Sequence, residues 1–138
     1  MTIQEWMNKI YSWAESKGWH DTPLVIEKEL MNFHSEISEA WEEIRKGHSI
    51  KEYYYVDKDV ATDVDDKPYM IEIDNTTVIK TSYASQGIKP EGFPIEIADL
   101  VIRIFHSCKY HGIDLEKYIE LKMAYNETRS WRHGGRVA

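Results

Sequence analysis

At 138 residues with a formal net charge of −7, the chain is long enough for one domain with its own core and too short for two ordinary ones. Residues 1–120 hold 13 basic and 23 acidic side chains, a net of −10, whereas 121–138 hold Lys122, Arg129, Arg132 and Arg136 against Glu127, a net of +3. That acidic body lacks the basic surface a nucleic-acid polymer or an anionic membrane needs, and no apolar run approaches the ~20 residues of a membrane span or resembles a secretory leader, so a cytoplasmic protein is expected.

Thr2 and Glu5 have capping-box spacing and Gly18 is a natural stop, which predicts a first helix over 2–18 with apolar Trp6, Ile10 and Trp13 on one face. A loop through Asp21, Thr22 and Pro23 leads to a second helix over 24–46, stopped by Gly47. Leu30, Phe33, Ile37, Trp41 and Ile44 fall at helical spacing and mark its core side, Trp41 included, while Glu36, Glu39 and Glu43 run along the flank.

Residues 48–92 break the helical pattern with Tyr53, Tyr54 and Tyr55, several aspartates, Pro68, Gly87, Pro90 and Gly92, and read as a long insertion. Inside it YMIEI and TTVIK flank Asp74-Asn75 as the arms of a β-hairpin, an irregular flap being the alternative. Pro94 suits the first turn of a third helix over 94–111, where its missing N–H costs nothing, and Gly112 ends it. Cys108, the only cysteine, sits near the end of that helix as a packed thiol; no intrachain disulfide is possible. Asp114 opens a last helix over 114–127, and the tail SWRHGGRVA reads as irregular. The expected fold class is all-α, a helical bundle of one domain, 1–138, interrupted by the 48–92 insertion.

The chemistry concentrates in two acidic pairs, Glu36-x-x-Glu39 and Glu96-x-x-Asp99. Residues three apart share one side of a helix, so each pair can aim two carboxylates at one point. Two such helices face to face would gather four carboxylates, which repel one another unless a cation lies among them. Hard divalent ions such as Mg²⁺ take oxygen ligands of this type and usually bind substrate phosphates as well. The stretch IEIADLVIRIF, 95–105, is apolar nearly all round, and its polar exceptions Glu96, Asp99 and Arg103, continued by His106, form one strip that should face a polar cavity. On its own the first pair reads as a solvated acidic face; pairing with the second makes it a candidate ligand set.

Glu36, Glu39, Glu96 and Asp99, with GFPIEIADLVIRI and the closing KMAYNETRSWRHGG, resemble the MazG-like all-α nucleoside triphosphate pyrophosphohydrolases, whose signature is an ExxE helix followed by an ExxD helix. The resemblance covers about residues 22–46 and 89–135. It implies a helical bundle that dimerises or forms dimers of dimers. It also implies Mg²⁺- or Mn²⁺-dependent hydrolysis of a nucleoside triphosphate to the monophosphate and pyrophosphate. The four acidic positions would ligate the metal, and Glu39 would orient or deprotonate the attacking water. Lys122, Asn126 and Arg129 lie at i, i+4 and i+7 on one helix face and would hold phosphate oxygens, Lys122 also acting in catalysis. Arg103 would join in substrate binding, and Trp19 could stack on the base, as could Trp41 or Trp131. Arg132 and His133 read more readily as tail charge. Many members carry a further Glu directly before the first pair, where this chain has Ser35 after His34, so the number of ions is open.

Two other readings compete. A ferritin-like di-metal bundle would need Glu-x-x-His motifs, and no Glu here is followed by His three residues on. A non-catalytic metal- or nucleotide-binding bundle would satisfy the four carboxylates equally well.

Overall fold

Local capping chemistry places the helices. Glu5 donates its N–H to the Thr2 hydroxyl at 3.1 Å while the Thr2 N–H donates to the Glu5 carboxylate at 2.8 Å, starting α1 (Ile3–Ser16). In the last helix the Asp114 side chain accepts from the Lys117 N–H at 3.3 Å. Gly18, Gly47 and Gly112 take the positive φ that ends α1 and the second and third helices. This computed structural model describes residues 1–57, 69–73 and 86–131. Among them are α1, α2 (Ile26–Arg45), α3 (Phe93–Tyr110) and α4 (Leu115–Thr128), with strands β1 (Tyr53–Asp57), β2 (Tyr69–Ile73) and β3 (Lys89–Glu91). The protein is mainly helical with a small antiparallel sheet, and no described helix is long and apolar enough to cross a membrane. The chain gathers into two compact units.

The first unit joins Met1–Leu24 to the described residues from Ile104 onward. Its buried residues on α1 are Met7, Ile10 and Ala14; of the apolar face Trp6, Ile10 and Trp13 only Ile10 is buried, and both tryptophans are exposed. The buried face is thus turned by one residue, with Ala14 offering a small side chain where it is fully enclosed. The segment after α1 is tied to the end of α3: His20 and His106 share a hydrogen bond, Nε2 to Nε2, at 2.9 Å, and the Leu24 N–H donates to the Tyr110 hydroxyl at 3.2 Å. Helix α4 packs against α1, yet none of its residues is buried.

The second unit comprises the described residues of Val25–Arg103. Here α2 reverses the expected orientation. Its buried residues are Glu29, Glu36, Ala40 and Glu43, whereas Leu30, Ile37 and Trp41 are 50%, 51% and 58% exposed and Ile44 is exposed as well. A core position for Trp41 is therefore incorrect. Glu36 and Glu43 go inward because the side chains that satisfy them, Arg103 and Tyr54, come from α3 and β1.

The sheet has the order β2-β1-β3, antiparallel throughout, with Tyr55 opposite Ile71 on one side and opposite Pro90 on the other. Tyr54, Tyr55 and Val56 of the central strand are all buried, aromatic and β-branched residues suited to a covered strand. The YMIEI arm of the expected hairpin is indeed a strand, but its described partner is β1; Asp74, Asn75 and the TTVIK arm (76–80) lie outside the described residues, as do Arg132, His133 and Arg136 of the tail. Gly92 turns the chain from β3 into α3 at φ +126°. A Cβ there would sit 2.6 Å from the Glu52 carbonyl oxygen and 2.9 Å from the Tyr53 Cα, so only glycine allows this approach.

Candidate metal centre

Glu36 and Glu39 leave one side of α2 at three-residue spacing, and Glu96 sits in the first turn of α3, where the Gly92 carbonyl accepts its N–H at 3.1 Å. Glu36, Glu39 and Glu96 each bring a carboxylate oxygen to within 4.8 Å of the others. Glu36 and Glu96 are only 6% and 8% exposed, whereas Glu39 is exposed. Asp99, half-buried one turn further along α3, stands outside this triplet but acts on Glu96 through its charge. The centre lies wholly within the second unit.

Arg103 donates from Nε to Glu36 Oε1 at 2.6 Å. That ion pair satisfies one oxygen of Glu36 and no more. Among the described residues, Glu36 Oε2 and Glu96 Oε2 are buried without a hydrogen-bond partner. Burying a carboxylate oxygen unpaired is costly, and a cation at this cluster could satisfy both.

The electrostatics carry the same sign. Burial, then contact with the Glu39 carboxylate and the charges of Glu39, Asp99 and Glu36, push Glu96 up to about 7. Burial likewise raises Glu36, against the Arg103 hydrogen bond, and raises Asp99, against the Arg103 charge. Carboxyl groups buried together in one cluster raise one another, and a divalent ion among them would favour the ionised form. The donor set, all carboxylate oxygen, fits Mg²⁺ or Mn²⁺ rather than a softer metal.

A second layer supports the cluster, and the sequence reading passed over it. Glu43, on the same inward strip of α2, accepts the Tyr54 hydroxyl between its two carboxylate oxygens, at 2.8 and 3.0 Å. Burial, then the Glu43 hydrogen bond and charge, push the Tyr54 hydroxyl far above its ordinary range, so it remains the donor. His48 stacks on the Tyr54 ring at 4.7 Å and meets Glu52 at 3.1 Å through Nδ1. The available signal was spacing: Glu43 lies four residues beyond Glu39 and seven beyond Glu36, the same face of a helix.

Lys122, Asn126, Arg129, Trp19 and Trp131 belong to the first unit. Lys122 sits over the Tyr125 ring at 4.8 Å and Arg129 over it at 5.8 Å, and the Asn126 amide meets the Met123 sulfur at 3.8 Å. Trp19 is half-buried, edge-on to Trp13 and to His106, each at 5.0 Å between centroids. Trp131 is exposed. The structure thus brings together Glu36, Glu39, Glu96, Asp99 and Arg103 among the residues singled out from sequence.

No family model, no curated protein and no solved structure matches this chain. Function has to be argued from the cluster itself.

Proposed function

We propose that this protein is a Mg²⁺- or Mn²⁺-dependent nucleoside triphosphate pyrophosphohydrolase of the MazG-like kind that its acidic motifs resemble, converting an NTP or dNTP to the monophosphate and pyrophosphate. The observation that carries the reading is the pair of buried, partnerless oxygens, Glu36 Oε2 and Glu96 Oε2, beside the Glu39 carboxylate. Glu36, Glu39, Glu96 and Asp99 would hold the metal. When bound, a divalent ion supplies charge neutralisation to a triphosphate and acidifies water for attack on phosphorus. Glu39 is the exposed member of the triplet, so it is the carboxylate with access to solvent and is suited to orient that water or accept its proton. Arg103 steadies Glu36 through its 2.6 Å hydrogen bond from Nε, a positioning role beside the substrate contact that the resemblance implies. The Glu43–Tyr54 pair joins β1 to α2 on the same helix face and holds the ligand-bearing turn in place.

The active form on this reading is a homo-oligomer. Leu30, Ile37, Trp41 and Ile44 make an exposed apolar stripe along α2, and a helix carrying such a stripe can pair with its own copy about a two-fold axis.

The test is incubation of purified protein with a panel of NTPs and dNTPs and Mg²⁺, followed by identification of the phosphorus product. Pyrophosphate with the matching monophosphate, lost on chelation, supports the reading. Orthophosphate makes the protein a phosphatase, and cation binding without any product makes it a metal-binding bundle.

A further inference from the structure

The acidic centre leaves one charge unaccounted for. A triphosphate brings several negative charges to a cluster that is itself acidic, and the Arg103 guanidinium is already committed to Glu36. The same unit holds another cation in a defined position, Lys89 on β3.

Lys89 is placed by an edge strand that pairs with β1. It stands opposite Val56 in the sheet, with Pro90 opposite Tyr55 and Glu91 opposite Tyr54. Gly92 then presses against the Glu52 carbonyl and the Tyr53 Cα, and its own carbonyl accepts the Ile95 and Glu96 N–H groups at 3.0 and 3.1 Å. The path from Lys89 to the metal-ligating Glu96 is therefore a strand, a glycine turn that admits no side chain, and the first turn of a helix. At the end of its side chain the Lys89 ammonium meets Glu91 at 3.2 Å, and the side chain is 55% exposed.

Two observations separate Lys89 from an ordinary surface ion pair. Burial works against its ammonium, but the Glu91 hydrogen bond and the charges of Glu91, Glu96 and Glu39 outweigh it and raise its pKa; in return Lys89 opposes the rise at Asp99. It therefore shares the field of three of the four candidate ligands. Yet it does not spend itself on them, because Glu36 Oε2 and Glu96 Oε2 have no partner. A cation standing in the field of a carboxylate cluster, held off its oxygens by a neighbouring acid and open to solvent, is placed to meet an anion that arrives with the metal.

We propose that Lys89 binds phosphate oxygens of the nucleoside triphosphate at this centre, with Glu91 holding its ammonium at the edge of the carboxylate cluster. The proposal rests on the pyrophosphohydrolase reading. It gives the insertion a purpose: the three-stranded sheet delivers a phosphate-binding lysine to the acidic helix.

The test uses two calorimetric titrations on the wild type, Lys89→Ala and Lys89→Arg. One titrates Mn²⁺ alone; the other, with Mn²⁺ present, titrates the α,β-imido analogue of whichever nucleotide the wild type hydrolyses fastest. Losing one charge-assisted hydrogen bond should weaken analogue binding by about 10- to 100-fold in Lys89→Ala, with most of it restored in Lys89→Arg. Mn²⁺ alone should bind Lys89→Ala as well as the wild type or more tightly, since a repelling cation has been removed. These opposite signs separate phosphate binding from structural damage. Unchanged analogue affinity in Lys89→Ala overturns the proposal, as does weakening of both titrations together. A wild type that hydrolyses Mg²⁺-nucleotides while Lys89→Ala matches it in both titrations refutes the Lys89 role alone; a wild type that binds no Mn²⁺ and hydrolyses no nucleotide refutes the underlying reading with it.

Discussion

At the scale of single residues, Glu96 concentrates the physics of the centre. Its carboxyl is raised from an ordinary 4.5 to about 7, first by burial and then by Glu39, Asp99 and Glu36; Arg103 opposes the rise at its neighbours Glu36 and Asp99, and Lys89 the rise at Asp99. Between those two values the folded metal-free protein holds a proton that the unfolded chain has lost. Stability must then fall as pH rises from about 4.5 to 7, because each proton released costs the native state. Cation binding has the opposite slope, since metal competes with that proton. The expected outcome is a lower metal-free Tm at pH 8 than at pH 5.5, and Mn²⁺ affinity that increases over the same span. Glu96→Gln should flatten this part of the stability profile, raise metal-free stability at pH 8 by about 1 kcal/mol and abolish Mn²⁺ binding. Thermal denaturation with parallel Mn²⁺ titration checks all three; a wild-type Tm that rises with pH would contradict the raised carboxyl.

At the scale of elements, two joints hold the sheet to the acidic helices. The first is the Tyr54 hydroxyl on buried Glu43, β1 to α2. Tyr54→Phe leaves that carboxylate without its donor and should cost about 1–3 kcal/mol in urea unfolding. Pairing it with Glu43→Gln in a double-mutant cycle should give a clearly non-additive total, because both changes break one contact. The second joint is Gly92, β3 to α3. Gly92→Ala drives a Cβ against the Glu52 carbonyl oxygen, backbone that cannot step aside, in a φ region that disfavours L side chains. A loss of more than about 2 kcal/mol is expected, with weaker Mn²⁺ binding because Glu96 follows in the next turn. Additive energies at the first joint, or a neutral Gly92→Ala, would remove the sheet from the support of the centre.

At the scale of the whole molecule, the exposed face of α2 bears on the proposed homo-oligomer. Glu29, Glu36 and Glu43 are enclosed, and the apolar stripe is left to water unless another surface covers it. Light scattering of the wild type should give a multiple of 16.3 kDa. Ile37→Glu, at the middle of the stripe, should return the mass to that of one chain while leaving helical content intact, since Ile37 is exposed in the single chain. A wild type that scatters as one chain at micromolar concentration contradicts the homo-oligomer.

What the chain determined by itself is whatever closes within a few residues. The Thr2–Glu5 capping box, the Asp114 cap and the glycines at 18, 47 and 112 set helix ends to within two residues of the expected positions, because their hydrogen bonds and φ values are local. The strip Glu96, Asp99, Arg103 was legible for the same reason: helical periodicity puts those residues on one side whatever surrounds them. Which side of α2 turns inward was not legible, because the apolar stripe and the acidic strip are both regular and only the arrival of Arg103 and Tyr54 chooses between them. Strands β1 and β3 escaped notice because β1 buries consecutive residues on both faces and so shows no alternation, and because its partners come from distant stretches of chain. Tertiary structure alone left Glu36 Oε2 and Glu96 Oε2 enclosed and partnerless: desolvation is a property of what packs around an atom, and no spacing in the sequence records it.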